Sequence, residues 1–342
     1  MRPTNLSVTR RMNPVTGSGA EASRLANCPV DRVAYYALNG GSAAERGAAL
    51  WQAAVSSVQS GELDDRTLYW QRLTEVVGLS GEDAHLFETN SRNYDPVFDA
   101  EAQYRVLVTG FDPFHLDKNN EQSNPSGVIA LQHDGVKIEC PGGLADLRSL
   151  IVPVRFKDFD DGLIESLVEQ LAASVDMIIT VSMGRDAFDL ERYPGRRRSS
   201  EQPDNERCYA GCSAANPVTP VRLEGPEFVE FSLPAAQMIA VTGDYAVRDN
   251  RQVTTLESGD LTAQQLSALD GQTAVNGSGG GYLSNEISYR VIHRLNQLGS
   301  SVRSGHIHVP RIAGYDADRL EAITIQAREL VQVAVQSVCN QS

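Results

Sequence analysis

The sequence predicts an α/β protein: a three-layer α/β/α sandwich around a mainly parallel, twisted sheet, with a helical N-terminal extension. Three observations predict it. From Tyr104 onward, apolar β-branched runs alternate with helical patterns, the order expected of strands joined by crossover helices. One run, VDMIITVS (175–182), is apolar almost throughout, as a strand covered on both faces must be. Residues 1–103 carry helical patterns and polar connections instead, which separates them from the α/β domain of residues 104–342.

Taken in order, the first twenty-odd residues are polar and rich in Ser, Thr, Pro and Gly, which predicts a mobile tail. An Ala-rich helix is expected over 43–58. A second, over 68–79, has apolar residues at mixed i, i+3 and i+4 spacing. Trp51 and Trp70, the only tryptophans, lie in these helices and read as anchors rather than ligand contacts. TNSRNYDPVFDAEAQ (89–103) reads as a polar connection. YRVLVTG (104–110) is the first strand, followed by a short helix over 126–132. LRSLIVPV (147–154) is the second strand, with an amphipathic helix over 159–173, and 175–182 is the third. A long irregular region follows, in which PEFVEFSLP (226–234) leads to a short helix. Apolar positions Ile287, Val291, Ile292, Leu295 and Leu298 predict a helix over 284–298. HIHVP (306–310) is a short strand. Leu320, Ile323, Ala327, Leu330, Val331 and Ala334 form the apolar stripe of a last helix over 316–338.

Composition excludes several classes of function. The 342 residues carry 44 acidic and 30 basic side chains, a formal charge of −14, which argues against a partner made of nucleic acid. The apolar share of 41% is enough for a core and too high for general disorder. Only Lys118, Lys137 and Lys157 are lysines, a bias from which no function follows. No stretch approaches the roughly 20 apolar residues that span a bilayer, so no membrane is expected. The basic amino terminus has no apolar segment behind it, so it is not a complete signal peptide, and the expected compartment is the cytoplasm. A secreted chain whose signal had been removed would read the same way. The five cysteines are odd in number and scattered, unlike a disulfide scaffold. Cys208 and Cys212 are close enough for a local bridge or half a metal site. No second pair at ligand spacing follows, so neither a metal nor another cofactor is expected.

In such a fold, sites gather where strands end and loops begin. Four segments qualify: TGFDPF (109–114) with Asn124-Pro125 beyond it, GRDAFDLER (184–192), NGSGGGYLSN (276–285) and HIHVP. Ser284, where a Gly-rich loop runs into a helix, would feel the positive end of the helix dipole and nearby free N–H groups, which suits a nucleophile. His308 on a strand is the candidate base and Glu191 its orienting carboxylate. The plain alternatives are an ordinary N-cap for Ser284, a hydrogen-bonded core histidine for His308 and a surface carboxylate for Glu191. Phe111 and Phe114 flank a tight Asp-Pro turn and are not expected both to point inward; one exposed ring near Ser284 would make a small apolar pocket. Arg196, Arg197 and Arg198 read either as a grip on a carboxylate or as a solvated loop.

Together these segments resemble the pyroglutamyl peptidase I (pyrrolidone-carboxylate peptidase) family. RVLVTGFDPF (105–114) with Asn124-Pro125, IVPVRF (151–156), VDMIITVSMGR (175–185), LER (190–192), PDNE (203–206), FSLP (231–234), GGYLSN (280–285) and SGHIHVP (304–310) match its landmarks in order, from about Tyr104 to Cys339. The resemblance implies a metal-free hydrolase that removes an N-terminal pyroglutamyl residue from a peptide with a blocked N-terminus, using a Cys/His/acid triad. It implies His308 as base, Glu191 as its partner, Phe111 and Phe114 around the lactam ring, and Asn124 at the ring's polar edge. Family members are commonly homotetramers, so a homo-oligomer is implied too.

Four departures accompany the matches. Ser284 stands where the family has its nucleophilic cysteine, and a hydroxyl needs better base geometry than a thiol. Only Ser-Met precedes Gly184, a shorter loop than usual. Arg196 and Glu201 replace a family asparagine and arginine. About thirty extra residues lie between Pro234 and Gly280. Three readings follow: a Ser/His/Glu hydrolase acting on a pyroglutamyl or related amide, a pseudoenzyme keeping the pocket for binding or scaffolding, or an engineered serine in a cysteine peptidase.

Overall fold

In the computed structural model, residues 20–28, 32, 35–38 and 40–340 are described. The expected mobile tail falls mostly on residues outside this set. The described residues begin with a five-residue helix α1 (Ala20–Arg24), then α2 (Ala43–Gln59), α3 (Asp65–Val77) and α4 (Gly81–Ser91). Ser42 and Glu45 close a capping box on α2, and the Asp64 carboxylate caps α3. The helix α4 was not expected; its weak amphipathic pattern hid it, and it shortens the polar connection to residues 92–103.

The α/β part follows as β1 (Tyr104–Phe111), α5 (Pro125–His133), β2 (Lys137–Cys140), β3 (Gly143–Val152), α6 (Phe156–Asp160), α7 (Leu163–Leu171), β4 (Met177–Met183) and β5 (Phe188–Glu191). After these come α8 (Ala235–Met238), β6 (Val247–Asn250), β7 (Gln252–Thr255), β8 (Gly259–Thr262), β9 (Ala274–Asn276), α9 (Leu283–Gln297), β10 (Arg303–Val309) and α10 (Ala317–Cys339). Seven strands form one sheet in the order β2-β3-β1-β4-β10-β5-β6. Four neighbour pairs are parallel, and β2–β3 and β10–β5 are antiparallel. The expected single helix over 159–173 is broken into α6 and α7 at Gly162, whose φ of 90° only glycine adopts freely. Strands β2, β5 and β6 were not anticipated: each is four residues long, too short for periodicity to register.

The strands bury both faces by alternation. Val106, Val108, Met177 and Ile179 join α2, α5 and α10 in one core, while Leu107, Leu150, Val152 and Ile178 join α6, α7 and α9 in another. The sheet is thus the middle of three layers. Trp51, 1% exposed, packs into the first core and donates its indole N–H to Asp134 at 3.1 Å. Trp70 is fully buried with Tyr69, Leu73 and Leu116. Each tryptophan thus anchors its helix to residues beyond Tyr104, Trp51 through Asp134 and Trp70 through Leu116.

The cysteines divide into one bridged pair and free thiols among the described residues. Cys140 and Cys339 form a disulfide that ties β2 to the end of α10 across 199 residues of chain, a pairing that spacing alone does not reveal. Cys208 and Cys212 are not bridged: one is exposed, and the other is buried with its thiol donating to the Ser200 carbonyl. The arginine bias also acquires a structural use. Arg66, Arg72, Arg92, Arg155, Arg198 and Arg290 are buried in ion pairs, where a planar fork satisfies several carboxylate oxygens at once. Among the described residues no helix is long and apolar enough to cross a membrane.

Candidate active site

The carboxyl ends of β1, β4 and β10 meet the amino end of α9. Tyr282 is the residue preceding α9, so Ser284 lies inside the first turn rather than at the N-cap. Its hydroxyl makes no cap; its one hydrogen bond, long at 3.4 Å, is donated to the Gly279 carbonyl. The Gly-rich loop before it is held tightly. Asn285 receives the Gly195 N–H at 2.9 Å and donates to the Gly195 carbonyl at 2.7 Å. A Cβ on Gly277 would sit 2.0 Å from the Asn285 oxygen, so only glycine permits this close approach.

The two histidines of β10 have different fates. His306 is fully buried between two hydroxyls, Thr180 Oγ1 at 2.8 Å from Nδ1 and Ser182 Oγ at 2.7 Å from Nε2. Burial holds it well below the ordinary imidazole range, so it stays neutral. It is the hydrogen-bonded core histidine. His308 instead pairs its Nδ1 with Glu191 Oε1 at 2.6 Å, leaving Nε2 as the nitrogen available for proton transfer. Antiparallel pairing sets His308 opposite Asp189, which places Glu191 on the adjacent diagonal, within side-chain reach.

Glu191 is wholly buried, and burial pushes its carboxyl upward while the imidazole works in the other direction. Its second oxygen accepts from Asn250 Nδ2 at 2.8 Å, and the same nitrogen donates to the Ser278 carbonyl at 2.9 Å. Sequence reasoning missed Asn250. It lies on β6, in the stretch set aside as extra residues, and no motif marks it. The insertion also builds a three-stranded sheet, β8-β7-β9, which ends at the Gly-rich loop.

Phe111, Phe114, Asn124, Met183, Tyr282 and Ser284 are among the residues lining a cavity of about 40 Å³. Phe111 points inward, 3% exposed and stacked on Phe159, whereas Phe114 is half-buried against His115. Asn124 caps α5: its oxygen accepts from Ser126 N at 3.1 Å, and its amide donates to the Asp112 carbonyl at 2.9 Å. The PDNE segment is tied to the pocket's walls, with the Asn205 amide donating to Pro113 O and Pro203 O accepting from Tyr282.

The arginine run does grip carboxylates, all of them within the chain. Arg196 and Arg197 share Glu227, and buried Arg198 bridges Asp160 and Glu286. A much larger cleft, about 710 Å³, opens among α4, α7 and α9 and is lined by mixed charges including Glu88, Arg155, Glu165 and Arg290. It includes none of Ser284, His308 and Glu191.

The chain matches the family described as PA0049, C-terminal domain, over residues 105–224 and 242–313, more than half its length. It is 26% identical to the Pseudomonas aeruginosa protein PA0049, described as uncharacterized, across 79% of this chain and 69% of that one. It is also 26% identical to the pyrrolidone-carboxylate peptidase of Pyrococcus furiosus, across 63% of this chain and 85% of the peptidase. The same identity holds to the pyrrolidone-carboxylate peptidase of Yersinia pestis, across 66% and 87%. A solved P. furiosus pyrrolidone carboxyl peptidase is 24% identical with a TM-score of 0.49, covering 68% of this chain and 99% of that one.

Proposed function

The chain belongs to the PA0049 C-terminal domain family, and from that membership and its similarity to pyrrolidone-carboxylate peptidases we propose that it is a hydrolase removing an N-terminal pyroglutamyl or related group from peptides. The nucleophile is Ser284, the base His308 and the orienting acid Glu191. The observation that carries this reading is the buried Glu191–His308 pair at 2.6 Å, made through Nδ1, at the strand ends beside a pocket lined by Ser284.

In this mechanism His308 Nε2 takes the Ser284 proton as Oγ attacks the lactam-side carbonyl of the scissile amide. The resulting oxyanion is stabilised by N–H groups of the first turn of α9, which have no intrahelical acceptor. Collapse breaks the C–N bond, His308 returns the proton to the leaving amine, and an acyl-serine remains. Water, deprotonated by His308, then releases the acid and restores Ser284. Glu191 keeps the His308 proton on Nδ1 and stabilises the imidazolium that forms transiently. Phe111 and Phe114 enclose the ring and Asn124 lies at its polar edge. The cavity is small beside the ~300–1,000 Å³ of ordinary ligand pockets, so ring entry swings the half-buried Phe114 outward.

In this proposal residues 104–342 carry the reaction and residues 1–103 are an extension to them. The Cys140–Cys339 disulfide favours an oxidising compartment over the cytoplasm. A second reading, a pseudoenzyme that binds without turnover, draws on one observation: the Ser284 hydroxyl is directed at the Gly279 carbonyl.

The test compares release from a fluorogenic pyroglutamyl amide by the natural chain, Ser284→Cys and Ser284→Ala. Turnover by the first two and silence from the third supports the hydrolase. Turnover by Ser284→Cys alone, with calorimetric binding of pyroglutamate to the natural chain, supports the pseudoenzyme. Silence from all three with no binding ends both readings.

A further inference from the structure

The aromatic turn Phe111-Asp112-Pro113-Phe114 and the Asn124 cap are gripped from outside the α/β domain, by helices of the N-terminal extension. Asp65, the first residue of α3 and only 2% exposed, accepts the Ser123 hydroxyl at 2.6 Å and the Asn124 backbone N–H at 2.8 Å. The Asn124 oxygen then accepts from Ser126 Oγ at 2.8 Å. Ser126 Oγ in turn receives the Phe111 N–H at 3.1 Å. A continuous path of hydrogen bonds therefore runs from Asp65 to the backbone of the inward-facing ring.

A second grip acts on the turn itself. Asp112 is buried at 2% exposure, and both its oxygens are met by extension guanidiniums: Arg72 of α3 at one, and Arg92, which ends α4, at the other at 2.8 Å. A buried carboxylate without these partners would have to leave the interior or take up a proton. Arg92 also holds the sheet directly, its carbonyl accepting from Ile151 N at 3.2 Å and its guanidinium donating to the Ile151 carbonyl at 3.4 Å. Docking of α3 and α4 thus stabilises the turn in this buried position with Asp112 ionised.

We propose that the N-terminal extension is a structural part of the ring pocket, with Asp65, Arg72 and Arg92 as positioning residues that set Phe111, Phe114 and Asn124 for substrate. The role in substrate recognition rests on the hydrolase reading above; the positioning itself does not. Asp65 acts on the pocket through Asn124, so its loss weakens substrate binding more than the chemical step at Ser284.

The experiment uses the full chain and two readouts on three variants. Asp65→Ala removes both accepting oxygens, Asp65→Asn keeps one for the Asn124 N–H, and Trp51→Phe breaks an extension contact at the far end of α5. Hydrogen exchange is followed in peptides spanning 109–126, and KM and kcat are measured on the pyroglutamyl amide. Asp65→Ala is expected to speed exchange in that segment and to raise KM about tenfold with kcat within about threefold. Asp65→Asn should restore most of both, and Trp51→Phe should lower thermal stability while leaving KM unchanged.

Unchanged exchange and KM in Asp65→Ala would overturn the proposal. So would an equal rise in KM from Trp51→Phe, which would reduce the effect to general loosening. If the natural chain shows no turnover, the hydrolase reading falls, and the exchange data still decide whether the extension positions the turn.

Discussion

Replacing Glu191 by Gln tests the site through the tautomer of His308. The substitution keeps size and shape, so its consequence depends on which way the new amide faces. Asn250 decides that. Its Nδ2 donates to Glu191 Oε2 at 2.8 Å, while its own oxygen is occupied by the Gln252 N–H. Asn250 therefore offers Gln at position 191 only a donor, and the new amide must turn its oxygen toward Asn250 and its NH2 toward His308. His308 Nδ1 then becomes an acceptor, the neutral ring carries its proton on Nε2, and it cannot take one from Ser284. By analogy with the wrong-tautomer variant of the serine-protease triad, kcat should fall about 10³- to 10⁴-fold, roughly 4–5.5 kcal/mol of transition-state stabilisation. Adding Asn250→Ala frees the amide to rotate, so the double variant should regain about tenfold over Glu191→Gln alone, although Asn250→Ala by itself is harmful. The assay is kcat on a fluorogenic pyroglutamyl amide, with thermal melts to confirm folding. Activity of Glu191→Gln within tenfold of the natural chain, or strictly additive losses in the double variant, would refute the reasoning.

Further predictions concern stability. Breaking the Cys140–Cys339 disulfide by Cys→Ala at both positions should cost up to about 5 kcal/mol on the chain-entropy view of a loop this long; urea unfolding of the two forms measures it, and equal midpoints would refute it. Arg198 is buried between Asp160 and Glu286 with its guanidinium over Phe156. Arg198→Ala leaves Arg290 as the remaining partner of both carboxylates and should therefore lose about 1–3 kcal/mol; a loss below about 1 kcal/mol by denaturant titration would show that the network is not worth its burial. His133 is buried, donates Nδ1–H to Ile129 O at 2.7 Å, and is held down to about 4 chiefly by burial. Since the unfolded chain takes that proton near pH 6.5, stability should fall as pH drops from about 6.5 to 4. His133→Gln should flatten the decline; an unchanged slope in denaturation midpoints across that window would assign the acid sensitivity elsewhere.

The sequence itself determined the layered α/β architecture, because the apolar runs of β1, β3 and β4 and the stripe of α10 are long enough for their periods to be read. It also singled out Ser284, His308 and Glu191, since loop-to-helix and strand-end positions leave a local signature and the motifs stand in order. It did not resolve the short strands β5 and β6, although β5 carries Glu191 and β6 carries Asn250. Four residues hold too little pattern, and the pairing of β5 with β10 and of β6 with β5 is a long-range event. What the sequence did not supply is the physical difference between His306 and His308: both sit on the same face of one strand, and only the neighbours brought by β4 and β5 make one a neutral core residue and the other the partner of Glu191.

The same division explains the extension. Periodicity located its helices and tryptophans, but that Asp65, Arg72 and Arg92 are the counterparts of Asn124 and Asp112 was settled only by docking. Buried charges find their partners through space, and a carboxylate 40 residues along the chain from its arginine leaves no trace in local pattern.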